Sequence, residues 1–425
     1  MSAPLLAPFQ GRLIRPEWAP RVIAGAYDSK TPEQRRTIVE QNPFSYLGVT
    51  RSHEDRFEGC SDAELLRLSA QTLERILEAG AFAASDHAAY YAYRLSSPDE
   101  SGPDDRSAAR KTGRPFDQTG IVGALDLDGL RDGRVLTHEN IRHERASLIS
   151  DHLSHVGATS SPVSLTHVAR PELLEILSSV TLRSPEVDVV VDGVRNQVWT
   201  FRSDETMIIE PLLEDQVFFV TDGHHRCAAA LAARAANPHR VGFARTLAVL
   251  FPHDQLRVEA FHRRAPDRSF RSTPELVDAL GTVGHLTAAS GVTSAQPTAR
   301  GEVGVYHNGS WFRLVLDPLE RPTPLASLDV ERLRRDVIGH VLGVNELAHD
   351  SDVDYVPNPA GTAELVSRCD TDGHVGLLVY PTDINDLMAV AAAGDLMPPK
   401  SSYLEPKPPS GVFLRSLGVG ATRHL

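Results

Sequence analysis

The chain has 425 residues, with 43 Lys+Arg against 56 Asp+Glu and a formal net charge of −13. At roughly 100–200 residues per domain, this is a chain of two or three domains that needs no covalent staples to hold its core. Its 41% hydrophobic and 23% charged fractions exclude fibrous, mainly disordered and disulfide-framework proteins. Three widely spaced cysteines, Cys60, Cys227 and Cys369, fit free thiols in a reducing compartment. No run of about 18 apolar residues occurs, and the first ten residues lack a basic stretch before an apolar one. The expectation is a cytoplasmic protein without membrane contact. The acidic balance argues against nucleic acid as a main partner.

In chain order, the first strong element is Ser61–Ala79. A Ser cap with Glu64 three residues on, an apolar stripe through Leu65, Leu66, Leu68, Leu73, Ile76 and Leu77, and Gly80 as a stop predict a helix. Ala88–Leu95 reads as a strand whose tyrosines pack. Ser96–Phe116, rich in Ser, Pro, Gly and charge, reads as a loop. Gly120–Leu127 is a strand, and 136–166 is mostly polar, closing on the apolar SPVSL. Val187–Val191, then Asp192-Gly193, then Gln197–Arg202 predict a hairpin.

Asp215–Pro252 is the most regular unit. Val217–Val220 is a short buried strand, Thr221–His225 a turn, Arg226–Ala236 a helix and Thr246–Phe251 a second strand, read together as an α/β crossover with a ligand at the end of the first strand. Beyond it come a helix at Pro274–Ala279, a hairpin at Gly304–Leu316, a helix at Leu328–Leu342, and a strand and helix at Val375–Val379 and Asp383–Ala392. The Pro-rich stretch Met397–Lys407 reads as irregular. No internal repeat is visible.

Chemistry-bearing residues concentrate in Asp222-Gly223-His224-His225-Arg226. Gly223 lets the backbone approach a ligand, the first N–H groups of the helix point outward, and Arg226 offers a fork matched to phosphate oxygens. The pattern suits a phosphate cradle, with Asp222 orienting a hydroxyl or holding Mg²⁺. An ordinary Asp-Gly turn and a zinc site on His224 and His225 are the competing readings. Adjacent histidines point to different sides of an element, a poor chelating geometry. A second cluster, His138-Glu139, offers a general base, against the plain alternative of a solvated charge run. With His143 it misses the HExxH spacing by one residue, which argues against a metalloprotease. Cys227, on an Ala-rich helix, reads as a buried structural thiol rather than a nucleophile. No Walker loop, GxGxxG fingerprint or GxSxG elbow is present.

Residues 217–231, VFFVTDGHHRCAAAL, resemble the nucleotide-binding segment of the ParB/sulfiredoxin superfamily. Within it they resemble most the free serine kinases, whose Asp-Gly-His-Thr-Arg motif is matched by Asp222, Gly223, His224 and Arg226, with His225 in place of Thr. His138-Glu139 matches the upstream pair whose Glu acts as base in those kinases. His224 stands where sulfiredoxins carry their reactive cysteine, which removes sulfinic acid reduction. Over its whole length the chain is similar to a bacterial and archaeal domain-of-unknown-function family. The recurring pieces are Ala26-Tyr27-Asp28, Asn42–Leu47, Gln118–Gly123, the DGHHR run, Leu250–Asp254 and Met397–Ser401.

The resemblance implies a mixed α/β fold with a ParB/sulfiredoxin-like core at 111–265 and α/β regions at 1–110 and 266–425. It implies a small-molecule kinase that moves phosphoryl from ATP or ADP, with Mg²⁺, to the hydroxyl of a free amino acid, serine by analogy. Glu139 and Asp222 would be catalytic, and Gly223, His224, His225, Arg226 and His138 would hold nucleotide. The alternatives are a non-catalytic nucleotide-binding switch and a metal-dependent hydrolase. Tyr27-Asp28 and Trp199 are candidate pocket walls whose competing reading is packing.

Overall fold

The computed structural model describes residues 4–98, 115–347, 352–358 and 361–418. The fold is mixed α/β, and its contacts divide into two units. The first comprises Met1–Leu136, Ile141–Leu256 and Pro406–Leu425; the second comprises Thr137–Asn140 and Arg257–Glu405. Most of the Ser96–Phe116 loop expected from sequence lies outside the described residues.

Among the described residues of the first unit, one sheet has nine strands: β1 (Leu6–Ala7), β2 (Tyr91–Ser96), β3 (Asp117–Asp126), β4 (Val135–Leu136), β5 (Val163–His167), β6 (Val187–Val191), β7 (Val194–Thr200), β8 (Phe218–Asp222) and β9 (Arg245–Pro252). Their order is β4-β8-β5-β9-β3-β2-β7-β6, with β1 also pairing with β3. The middle strands are covered on both faces, and β9 carries a near-continuous apolar run. All five residues of β5 are buried, as are seven of the eight in β9. Polar groups inside this core are satisfied locally: the Thr166 hydroxyl donates to the Phe251 carbonyl at 2.9 Å. Close strand approach explains Gly120, where a Cβ would stand 2.5 Å from the Leu250 carbonyl oxygen.

Local signals translate directly. Asp62–Glu78 is a helix whose first turn is capped by Ser61, and Gly80 follows at φ 71°. β6 and β7 form the hairpin, with Asp192 and Gly193 at φ 49° and 77°, the handedness that suits a two-residue turn. The unit around Gly223 needs one correction. β8, helix His224–Ala236 and β9 all form, but β8 and β9 are not a parallel crossover. β5 lies between them, antiparallel to β8 and parallel to β9, so β8 and β9 run in opposite directions. A strand buried at every position needs a hydrogen-bonding partner on each edge, and β5 takes one from each side.

The 136–166 stretch also contains more structure than its polarity suggests. His143–Val156 is a helix that packs against helix His224–Ala236. Its buried residues are Ala146, Ser150 and Val156, and Leu153 packs against Ala233 of that helix and Phe243. A smaller four-stranded sheet joins Phe82–Ala84, Arg12–Ile14, Phe413–Ser416 and Ala158–Thr159 in that order, so the C-terminal segment is woven into this unit.

The second unit is built on an antiparallel sheet of six described strands. Their order is Gly284–Ala289, Ser310–Leu316, Glu302–His307, Val375–Val379, Phe261–Ala265 and Asp354–Pro357. The expected hairpin turns at Asn308 and Gly309, both at positive φ. The expected Leu328–Leu342 helix begins as α-helix at Asp329–Arg332 and continues as π-helix over Leu333–Val341. No helix among the described residues is long and apolar enough to cross a membrane.

Candidate phosphate site

β8 delivers Asp222 at its C-terminal end, where the pairing with β5 shifts register. Gly223 turns the chain at φ 101° and ψ 27°, and helix His224–Ala236 begins at the next residue. A side chain at 223 would be strained at that φ, and its Cβ would stand 3.0 Å from Arg226 Nε. The turn therefore needs glycine for backbone freedom and for the folded-back arginine.

The helix is seated by its Ala-rich face: Ala229, Ala230, Ala233 and Cys227 are buried. Arg234 forks onto Asp128 at 2.9 and 3.0 Å near its far end. Its N-terminus has an unusual charge pattern. Gly223 offers no side-chain cap, the first turn has no acidic residue, and positions 224–226 are His, His and Arg. A helix N-terminus favours negative charge, so this arrangement lacks the acid that ordinarily balances it.

Asp222 is held by two cations. Arg226 Nη2 donates to its Oδ2 and Nη1 donates to the Pro162 carbonyl. Lys407 Nζ lies 3.0 Å from Oδ1. Burial pushes the Asp222 carboxyl up, but Lys407, Arg226 and His224 overcome it and bring the pKa down to about 2. Both carboxylate oxygens thus face cations, which does not fit the expected Mg²⁺ ligand. A divalent cation there would meet two positive side chains.

His224 is buried, and its neighbour His225 points elsewhere. His225 Nε2 accepts the Arg142 backbone N–H at 3.0 Å, at the start of helix His143–Val156. That acceptor is committed to the fold, which leaves the proton on Nδ1 and counts against a zinc pair on His224 and His225.

His138 and Glu139 belong to the second unit. His138 is fully buried there, and its carbonyl accepts the Met397 N–H at 2.8 Å. Glu139 bridges to Met397 as in a parallel strand pair. The Ser402 hydroxyl donates to Glu139 Oε1 at 3.5 Å, a long bond, and stands 3.3 Å from His138 Nε2. The Pro-rich Met397–Lys407 stretch, which reads as irregular, is thus what positions the His-Glu pair. Ser402 is a residue that sequence reasoning missed, as is Lys407; neither carries a spacing signal linking it to its partner.

Other candidates are packing residues. Cys227 is buried, and burial pushes its thiol up to about 12, as befits a structural group. The Tyr27 hydroxyl donates to Asp55 at 2.6 Å while Arg35 lies 3.8 Å over its ring. The Asp28 side chain lies outside the described part of the structure. Trp199 is buried, with its indole N–H donating to the Arg183 carbonyl at 2.8 Å.

A mixed α/β protein with a tight glycine turn from strand to helix is the class that these features define. The chain belongs to the family described as "Protein of unknown function (DUF1015)", whose profile matches residues 6–331. No curated protein gives a significant match. Among solved structures, the chain is similar to a free serine kinase in complex with AMP, at 15% identity over 67% of this chain and 86% of that one, with a TM-score of 0.32. It is similar to C-terminally truncated SbnI from Staphylococcus aureus, at 10% identity over 68% and 84%, TM-score 0.36. A conserved hypothetical protein from Pyrococcus furiosus matches at 13% identity over 68% and 93%, TM-score 0.32. At such scores the likeness carries no weight for activity.

Proposed function

We propose that the chain is a nucleotide-dependent phosphotransferase that moves a phosphoryl group from ATP or ADP to the hydroxyl of a free amino acid, serine by the motif resemblance. The observation that carries the reading is the helix start after Gly223. Its outward N–H groups, its basic first turn and its missing acid make a site that a polyphosphate completes. Arg226, already aimed by Asp222 and Pro162, supplies donors for phosphate oxygens.

In the proposed reaction the substrate hydroxyl oxygen bonds to the terminal phosphorus as the bond from that phosphorus to the nucleotide's bridging oxygen breaks. The hydroxyl proton passes to the Glu139 carboxylate, and the nucleotide leaves with one phosphate fewer. Such chemistry needs positioning and charge neutralisation more than covalent devices. Ser402, itself beside His138 Nε2, donates to the Glu139 carboxylate, and Asp222 holds the two cations rather than a metal. No step is assigned to a metal at Asp222.

The test is a mass-spectrometric search for phosphorylated product after incubating the protein with ATP or ADP and a panel of free amino acids. A phosphorylated amino acid, lost in Glu139→Gln, is the expected result. Nucleotide bound but never consumed with any acceptor would instead make the site a binding switch.

A further inference from the structure

The second unit holds a cleft of its own. Helix Gly361–Asp372 packs on strands Val375–Val379, Phe261–Ala265 and Asp354–Pro357. Its Leu365 and Cys369 are buried with Tyr306, Val356 and Leu378. Gly376 lets the helix come this close, because a Cβ there would stand 2.5 Å from Leu365 and 3.2 Å from Cys369 Sγ. Beside that seam the helix carries mostly small side chains. Thr362, Ala363, Val366, Ser367 and Asp370 recur at helical spacing and share one flank. They leave a gap to Trp311 of the hairpin and Val292 of the short helix Val292–Ala295. The gap is a cleft of about 480 Å³, a size that suits a small molecule.

Its walls share one chemistry. Trp311 stands opposite Tyr306 in the hairpin register, and their rings lie 4.8 Å apart at 52°. With Val292 and Val366, which pack against the same cluster, the half-buried indole gives the cleft an apolar, aromatic side. The Tyr306 hydroxyl donates to Asp370 Oδ1 at 2.5 Å, which fixes the carboxylate. Among the described residues, Asp370 Oδ2 has no hydrogen bond or ion pair, and no Lys or Arg lines the cleft. A phosphate or carboxylic acid there would meet Asp370 with nothing to offset the repulsion. A cation is favoured by the carboxylate and by the indole ring, while the apolar walls take up a carbon skeleton.

We propose that this cleft binds an organic cation, a quaternary ammonium or protonated amine on a short apolar skeleton. It uses none of the residues of the phosphate site proposed above, so either can fail without the other.

The experiment is a ligand-observed NMR titration of the full chain with choline and with dimethylbutanol, its uncharged carbon isostere. Wild type, Trp311→Leu, Trp311→Phe and Asp370→Asn are compared, with melting temperatures recorded alongside. Wild type binds choline more tightly than dimethylbutanol. Trp311→Leu weakens choline by about fivefold to thirtyfold, the range for a lost cation–π contact, and Trp311→Phe keeps most of the affinity. Asp370→Asn retains an acceptor for Tyr306 and narrows the preference for choline. Choline also changes the tryptophan fluorescence of wild type, and Trp311→Phe abolishes the change although Trp18 and Trp199 remain. Choline bound no better than its isostere overturns the cationic ligand. Undiminished choline binding by Trp311→Leu, or a fluorescence change that survives in Trp311→Phe, overturns the placement. Wild type that binds neither probe overturns the site.

Discussion

Lys407 Nζ stands 3.0 Å from Asp222 Oδ1, joining the end of β8 to a segment that arrives from far along the chain. With Arg226 on the other oxygen, it keeps Asp222 ionised down to about pH 2, against the ordinary value near 4. A carboxyl whose folded-state pKa is depressed stabilises the fold above its unfolded value and loses that contribution as pH falls through the folded value. Asp222→Asn therefore costs about 2 kcal/mol at neutral pH, and the gap to wild type narrows between about pH 4 and pH 2. Urea unfolding at a series of pH values measures it. A gap that stays constant down to pH 2 contradicts the assignment.

Gly223→Ala places a Cβ at φ 101° against Arg226 Nε. The backbone strain costs about 1–3 kcal/mol, and the displaced guanidinium weakens ADP binding as well. Both losses are read from the same preparation, by urea unfolding and by ADP titration. A mutant of wild-type stability would mean that the turn does not need its left-handed residue.

Gln118→Ala leaves the Pro406 carbonyl without its buried donor, at about 1–3 kcal/mol. Urea unfolding of the variant beside wild type reads that loss. Equal stability of the two would mean that the bond to Pro406 contributes nothing to the fold.

The cysteines give a chemical check on the packing. Cys227 and Cys369 are buried, and burial raises each thiol to about 12, whereas Cys60 is partly exposed. Thiol-disulfide reagents near pH 8 should modify Cys60 alone in the native protein, and the two others only after unfolding. Rapid native labelling of Cys227 would contradict the seating of the cradle helix.

What could be read before the structure was local. Helix Asp62–Glu78, the Asp192-Gly193 hairpin and the DGHHR turn each announce themselves within a few residues, through a cap, a turn pair or a glycine before a helix former. Helix His143–Val156 was hidden because small and polar residues, Ala146 and Ser150, stand among its buried positions and dilute the apolar stripe that Val156 and Leu153 continue. The place of β5 between β8 and β9 depends on pairing across long sequence separations, which periodicity does not encode. For the same reason Lys407 and Ser402 could not be linked to Asp222 and Glu139 from spacing. The Mg²⁺ role of Asp222 followed from a motif; the two cations on its oxygens come from outside that motif and within it, and only the fold brings them together.

The most direct measurement is product analysis of purified protein with ATP or ADP and serine, wild type against Glu139→Gln, with ADP affinity determined for both. The account predicts O-phosphoserine from wild type, none from Glu139→Gln, and equal ADP binding by the two proteins. Unchanged product in Glu139→Gln would contradict the base, and the absence of both product and nucleotide binding in wild type would contradict the cradle itself.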